Sequence, residues 1–289
     1  MDSSQKIDNF VKIAKKNGFN TLFVQVCGRG IAYYDSNILP RKDPDFDGLA
    51  YTVEKSHSAG LKVHAWINAF YVWSSSEAPE DSYHVVNLRP DWLLSPKKML
   101  FLDPSIREVR DHVRDVYLEV AEKYDVDGLH MDYIRYPGPG PADEIEARCE
   151  NVTSLVSEIR SGLDRLDKGI KLSAAVYPNI VEARRDIGQD WLLWIKSGLI
   201  DFIVPMIYTT NVDKVKDRVL LDASLSRKKD TVLAGLGAYM VTAEDLIKQI
   251  KVVNHYKKYY GSLSGVCLFS YDAVSSEAFY LEKIRKYAF

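Results

Sequence analysis

From residue 6 to residue 287 the chain repeats one unit: a short apolar run rich in Val, Ile, Leu and Phe, then a longer stretch with apolar residues at helical spacing. No other feature restricts the fold as much. Short runs without polar alternation suit parallel strands that are covered on both faces by helices. The expected strands are 21–26, 61–67, 128–132, 171–176, 202–207, 232–236 and 265–270. The expected helices are 6–17, 47–59, 105–124, 144–166, 191–197, 212–227, 243–259 and 276–287. In the first helix Ile7, Phe10, Val11 and Ala14 share a face, and Gly18 stops it, as glycine does just past a helix C-terminus. Asp103-Pro104 offers an N-cap and a first-turn proline to the third, and Thr242 with Asp245 forms a capping box before 243–259.

A helix–strand repeat without a break reads as an α/β barrel or an open doubly wound sheet. Polar residues end several strands: Gln25, Asn68, Asp132, Tyr177, Tyr208 and Asp272. An open sheet gathers its ligand contacts at one switch point, whereas a barrel spreads them over many strand ends. The expectation is therefore a single TIM (β/α)8-type barrel domain over residues 1–289. Seven strands are legible where the barrel needs eight, and the chain opens with the helix that should follow strand one. The first strand is expected to be missing, through N-terminal truncation or replacement by another segment. Met1-Asp2-Ser3-Ser4 shows no signal peptide, and an export signal upstream of strand one would be missing with it.

Bulk properties exclude several classes. A net charge of −2 gives no general attraction to nucleic acid or anionic membranes. The clusters Arg184-Arg185 and Arg227-Lys228-Lys229 read as solvated loop or helix ends. No apolar run approaches a membrane span. Cys27, Cys149 and Cys267 are too sparse for a disulfide framework or a zinc set, and read as small hydrophobes. No metal or cofactor is expected. A lone ion between His64, His130 and Asp132 is the weak alternative, and a phosphate at Gly235-Leu236-Gly237 is another; acids at 244 and 245 would repel it.

The strand 128–132 ends in Asp132 and breaks at Pro137. His130 and Asp132, two apart, point to one face of an extended chain. Burying an ionisable group in a strand is costly, so Asp132 at the barrel mouth is the candidate acid, base or nucleophile. Its plainer reading is a strand-end carboxylate paired with Arg135. His130 either tunes Asp132 or fills the core. On strand 61–67 and its end, His64, Trp66 and Asn68 share the inward face, with Asn68 at the mouth as a ligand reader and His64 as a possible contact. Glycines on both sides of Arg29 would let its guanidinium approach a ligand. The loop aromatics Tyr33, Tyr34, Tyr71, Trp73, Trp92 and Trp191 suit, as a set, the apolar faces of sugar rings.

Taken in order, the stretches 20–34, 60–71, 89–94, 102–109, 127–137, 200–208 and 265–272 resemble the glycosyl-hydrolase-like family ten, and the resemblance spans nearly the whole chain. It implies a (β/α)8 barrel that hydrolyses bacterial envelope glycans containing amino sugars, such as peptide-free peptidoglycan or a poly-glucosamine. It also implies a full-length protein exported to the cell envelope. Asp132 matches the family's aspartate at the end of the fourth strand. Many members carry a second acid next to it, where this chain has Tyr133. The reading is a glycoside hydrolase with Asp132 as the main catalytic group and Asp272 as a second carboxylate. Gln25, Arg29, His64, Asn68, His130, Arg135, Tyr177, Tyr208 and Trp191 would hold the polysaccharide. A non-catalytic carbohydrate-binding barrel is the alternative.

Overall fold

In the computed structural model, which describes residues 3–95, 98–226, 228–275 and 280–288, seven parallel strands form one sheet. They are β1 (Thr21–Gly28), β2 (Lys62–Asn68), β3 (Gly128–Asp132), β4 (Lys171–Val176), β5 (Phe202–Ile207), β6 (Val232–Gly237) and β7 (Leu263–Phe269). Each pairs in parallel with the next in sequence. A two-residue strand, Ile31–Ala32, folds back antiparallel on the end of β1. Around the sheet lie the main helices α1 (Ser4–Lys16), α2 (Gly48–Ser58), α3 (Arg107–Lys123), α4 (Ile145–Leu166), α5 (Ile180–Ile187), α6 (Trp191–Lys196), α7 (Val212–Ser226), α8 (Ala243–Lys257), α9 (Tyr271–Ser275) and α10 (Tyr280–Ala288).

This is the barrel-type α/β fold read from the periodicity, and its open position lies where an eighth strand would. Among the described residues β1 and β7 do not pair, so the ring of strands is interrupted between them. Helices bridge the interruption. Phe10 on α1 packs edge-on against Tyr271 at 4.6 Å, and Arg285 on α10 donates to the Lys16 carbonyl at 3.2 Å. The interruption also explains why β7 is only half-buried beyond Leu263, while the central β4 is buried from Leu172 to Val176.

Local chemistry sets the element ends. Ser3 accepts from the Lys6 amide to cap α1, and Thr242 accepts from the Asp245 amide to cap α8. Helix α3 starts at Arg107, later than Asp103-Pro104 suggests. Asp103 instead accepts from the Ser105 amide and hydroxyl, closing a turn before the helix. Arg227 and the expected start of the last helix at 276–279 lie outside the described residues.

One insertion went unread in the sequence. After β2 the chain builds a small antiparallel sheet from Tyr71–Trp73, Leu93–Leu94 and Leu100–Leu102. It is fastened to the barrel by backbone bonds from Ala69 to the Asp132 carbonyl (2.7 Å) and from Leu102 to the Phe70 carbonyl (2.8 Å). That attachment brings Tyr71 and Phe101 beside the end of β3.

Candidate active site

The inward face of the sheet is layered. Phe23, His64, His130 and Phe202 make an aromatic floor, with ring centroids 4.8 to 6.4 Å apart. Register explains how the rings fit: His64 sits opposite Gly128, and a Cβ on Gly128 would lie 2.3 Å from the imidazole. His130 Nδ1 bonds the Ser173 hydroxyl at 2.9 Å rather than Asp132. Burial, with a smaller contribution from neighbouring His64, pushes the His130 pKa down to about 3, and burial pushes that of His64 down to about 4. Both rings are therefore neutral. His130 fills the core and does not tune Asp132, and His64 is 5% exposed, below the level of any mouth contact. Among the described residues no three His, Cys, Asp or Glu side chains converge to hold a metal.

Above this floor, Asn68 and Asp132 end β2 and β3 in register. Trp66 Nε1 donates to Asn68 Oδ1 at 3.1 Å, and Gln25 Nε2 reaches the same oxygen at 3.5 Å. The indole also bears on Asp132. Asp132 Oδ1 accepts from the Tyr133 amide at 2.7 Å. Burial raises the pKa of this carboxyl; the Tyr133 amide, the Arg135 charge and the Trp66 indole oppose the shift without cancelling it. A strand-end carboxyl whose proton is held more tightly than usual is suited to donate it.

Aromatic rings surround Asp132. Three successive strands each release a tyrosine at their C-terminal end: Tyr133, Tyr177 and Tyr208. Tyr133, at φ +50°, stacks on Tyr71 at 4.7 Å. Tyr208 stacks on Phe269 at 5.8 Å, and the edges of Trp66 and Tyr239 meet the same phenyl ring at 5.8 and 6.0 Å. Gly235 and Gly237 serve this packing rather than a phosphate. A Cβ on Gly235 would strike the Pro205 carbonyl at 2.8 Å, and one on Gly237 would press on Tyr208 and Tyr239.

The structure thus gathers Gln25, Asn68, Asp132, Arg135, Tyr177 and Tyr208 at one mouth and leaves the other expected residues elsewhere. Trp191 is fully buried and donates from Nε1 to the Tyr177 carbonyl at 3.1 Å, so it supports the mouth from behind and offers no ring face. Tyr34 and Trp92 are likewise core rings; Tyr34 donates to Glu119, which also ties down Ser36 and Asn37. Arg29 is exposed, stacked 4.3 Å over Trp73, outside the contacts of Asp132. Asp272 is exposed in the first turn of α9, and none of the charges that bear on Asp132 comes from it. Burial raises Cys27 and Cys267 to about 12 and Cys149 to about 11, so none is a ready nucleophile. The sequence reading left Trp66, Tyr133, Phe269 and Tyr239 out of the site. The alternation His64–Trp66–Asn68 marked Trp66 as inward-facing, whereas nothing local marked Tyr239.

Known proteins resemble this chain in sequence and in fold. Residues 1–140 match the family described as Glycosyl hydrolase-like 10. Glycosyl hydrolase DigH of Escherichia coli (strain K12) is 26% identical over 252 residues, covering 70% of this chain and 56% of that protein. Glycosyl hydrolase YngK of Bacillus subtilis (strain 168) is 26% identical over 253 residues, covering 72% and 49%. The chain therefore spans about half the length of these relatives. Among solved structures, the PgaB (BpsB) glycoside hydrolase domain from Bordetella bronchiseptica superposes with a TM-score of 0.68 at 13% identity, over 98% of this chain and 93% of that one. Alpha-L-fucosidase isoenzyme 2 from Paenibacillus thiaminolyticus gives 0.64 at 15% identity, over 99% and 45%. These two likenesses establish the fold. Among the described residues no helix is long and apolar enough to cross a membrane.

Proposed function

We propose that this chain, whose first 140 residues carry the glycosyl hydrolase-like 10 sequence, is a glycoside hydrolase acting on an amino-sugar polysaccharide with Asp132 as its proton donor. The observation that carries the reading is the setting of Asp132: a desolvated carboxyl at a strand end, held by the Tyr133 amide, among rings that can take the apolar faces of sugars. The protonated carboxyl gives its proton to the glycosidic oxygen as the bond to the anomeric carbon breaks. The resulting carboxylate then takes a proton from the water that completes hydrolysis.

Among the described residues no second carboxyl bears on Asp132, and Tyr133 occupies the position next to it. Two-carboxylate chemistry needs a second acid on the far side of the sugar. A substrate with an acetamido group can supply the nucleophile itself, its carbonyl oxygen bonding the anomeric carbon as the leaving oxygen is protonated. Peptide-free peptidoglycan and partly deacetylated poly-N-acetylglucosamine both carry such groups.

The test is release of reducing ends from those two polymers. Asp132→Asn keeps the shape, removes the proton, and should lower kcat about 100- to 10,000-fold. Unchanged turnover would sink the assignment. The lone carboxyl equally favours a non-catalytic glycan-binding barrel, for which affinity without any reducing ends is the expected result.

A further inference from the structure

Among the described residues Arg135 is the arginine whose charge bears on Asp132. Some arginines, such as Arg107, Arg114, Arg160 and Arg184, pair with carboxylates, and others, such as Arg110, Arg148 and Arg218, donate to backbone carbonyls. Arg135 has no acidic partner within ion-pair distance among the described residues, although it is half-buried three positions after Asp132. Of its five donors, one at Nη1 reaches the Tyr136 carbonyl at 3.3 Å. The guanidinium lies 4.9 Å from the Tyr133 ring, 5.2 Å from Tyr177 and 5.9 Å from Phe101. Rings hold a guanidinium by its face and leave the edge donors free.

The segment that carries it is braced. The Tyr136 amide donates to the Ile187 carbonyl at 2.9 Å, and Asn151 Nδ2 donates to the Tyr136 hydroxyl at 3.1 Å. Arg148, itself 6% exposed, lies 4.2 Å over the Tyr136 ring and donates to the Gly138 carbonyl. A fixed, half-desolvated cation beside a catalytic acid loses little freedom when it binds an anion.

We infer that Arg135 is a specificity residue that reads a carboxylate on the sugar next to the bond being cleaved, so that the preferred polymer is acidic. The inference rests on the glycosidase reading above and narrows it. Of the two polymers considered, peptide-free peptidoglycan carries an O-lactyl carboxylate on every second sugar, and poly-N-acetylglucosamine carries none. A planar guanidinium grips a carboxylate through two parallel bonds. Such binding also offsets the Arg135 charge, one of the influences that draw the proton off Asp132.

The experiment compares peptide-free glycan strands with the same strands after carbodiimide coupling to methylamine, which neutralises the carboxylate and leaves the backbone intact. Both kcat/KM and affinity, the latter by calorimetry, are measured for the native chain, Arg135→Gln and Arg135→Lys. The native chain should favour the acidic strands about 10- to 100-fold. That ratio should fall close to one in R135Q, with a partial preference in R135K, whose point charge lacks the fork. Equal use of both strands by the native chain, or an equal loss on both in R135Q, would overturn the inference. A general effect of Arg135 on Asp132 would move the pH profile on both strands and leave the ratio untouched. If no strand is cleaved, the glycosidase reading fails by itself, and the affinity ratio still decides whether Arg135 reads the carboxylate.

Discussion

Asn68 and Asp132 end neighbouring parallel strands in register, and the indole of Trp66, on the same inward face two residues before Asn68, bears on both. A strand repeat of two places Trp66 under Asn68, and strand pairing places Asp132 beside them. The proton affinity of the acid thus depends on β2 as well as on the loop that follows β3.

Trp66→Phe tests this link. Phenylalanine keeps a ring against Phe269 and removes the N–H. The indole is one of the influences lowering the Asp132 pKa against burial, so its loss should move that pKa further up. The alkaline limb of the kcat/KM profile, where the acid form is lost, should then move to higher pH. Stability should fall by about 1 kcal/mol. A limb that stays in place would show that the indole does not act on the carboxyl.

Gly128→Ala tests the floor. The added Cβ would sit 2.3 Å from the His64 ring, within the β2–β3 pair, where neither backbone can retreat. Overpacking of this kind costs about 1–3 kcal/mol. In chemical denaturation, Gly128→Ala with His64→Ala should cost clearly less than the two single changes added together. Additive costs would place the strain elsewhere.

Asp222 on α7 tests a buried charge outside the site. It is fully buried, neither oxygen has a hydrogen-bond partner, and burial raises its pKa to about 7 against some attraction from Arg218. The native state holds this proton more tightly than the unfolded chain. Its effect is therefore absent below the ordinary value of 3.8, and stability is lost as pH rises from there towards about 7. Asp222→Asn should reduce the fall in unfolding free energy between pH 4 and pH 8 by about 3–4 kcal/mol, at roughly 1.4 kcal/mol per pH unit. Urea melts at the two pH values check this; an unchanged difference would mean that the carboxylate finds a partner.

The strands were legible because each is a short apolar run between polar segments. Gly128–Asp132, Lys171–Val176 and Phe202–Ile207 fall where the periodicity places them. Asp132, Asn68, Tyr177 and Tyr208 were legible as strand-end residues, since a barrel puts all such ends at one mouth. Trp191 misled because a tryptophan at a helix start shows its composition and not its burial. Asp272 was legible only as an acid after the last strand; the chain turns into a helix directly after Phe269 and Ser270, which leaves the side chain exposed in its first turn.

The sequence by itself determined the alternation of elements, the seven strands, the interrupted position and the single acid at the end of β3. These depend on local periodicity and on which residue follows the last strand position. Tertiary structure alone decided what surrounds that acid. Phe269 lies more than a hundred residues from Asp132 in the chain and meets Trp66 only across the barrel, and Tyr71 meets Tyr133 only because a small inserted sheet is bonded to the end of β3. Such contacts are made by the curling of the sheet and the packing of rings. They set the desolvation of Asp132, the neutrality of His130 and the ring contacts of Arg135, because each of these depends on how many distant groups crowd one point.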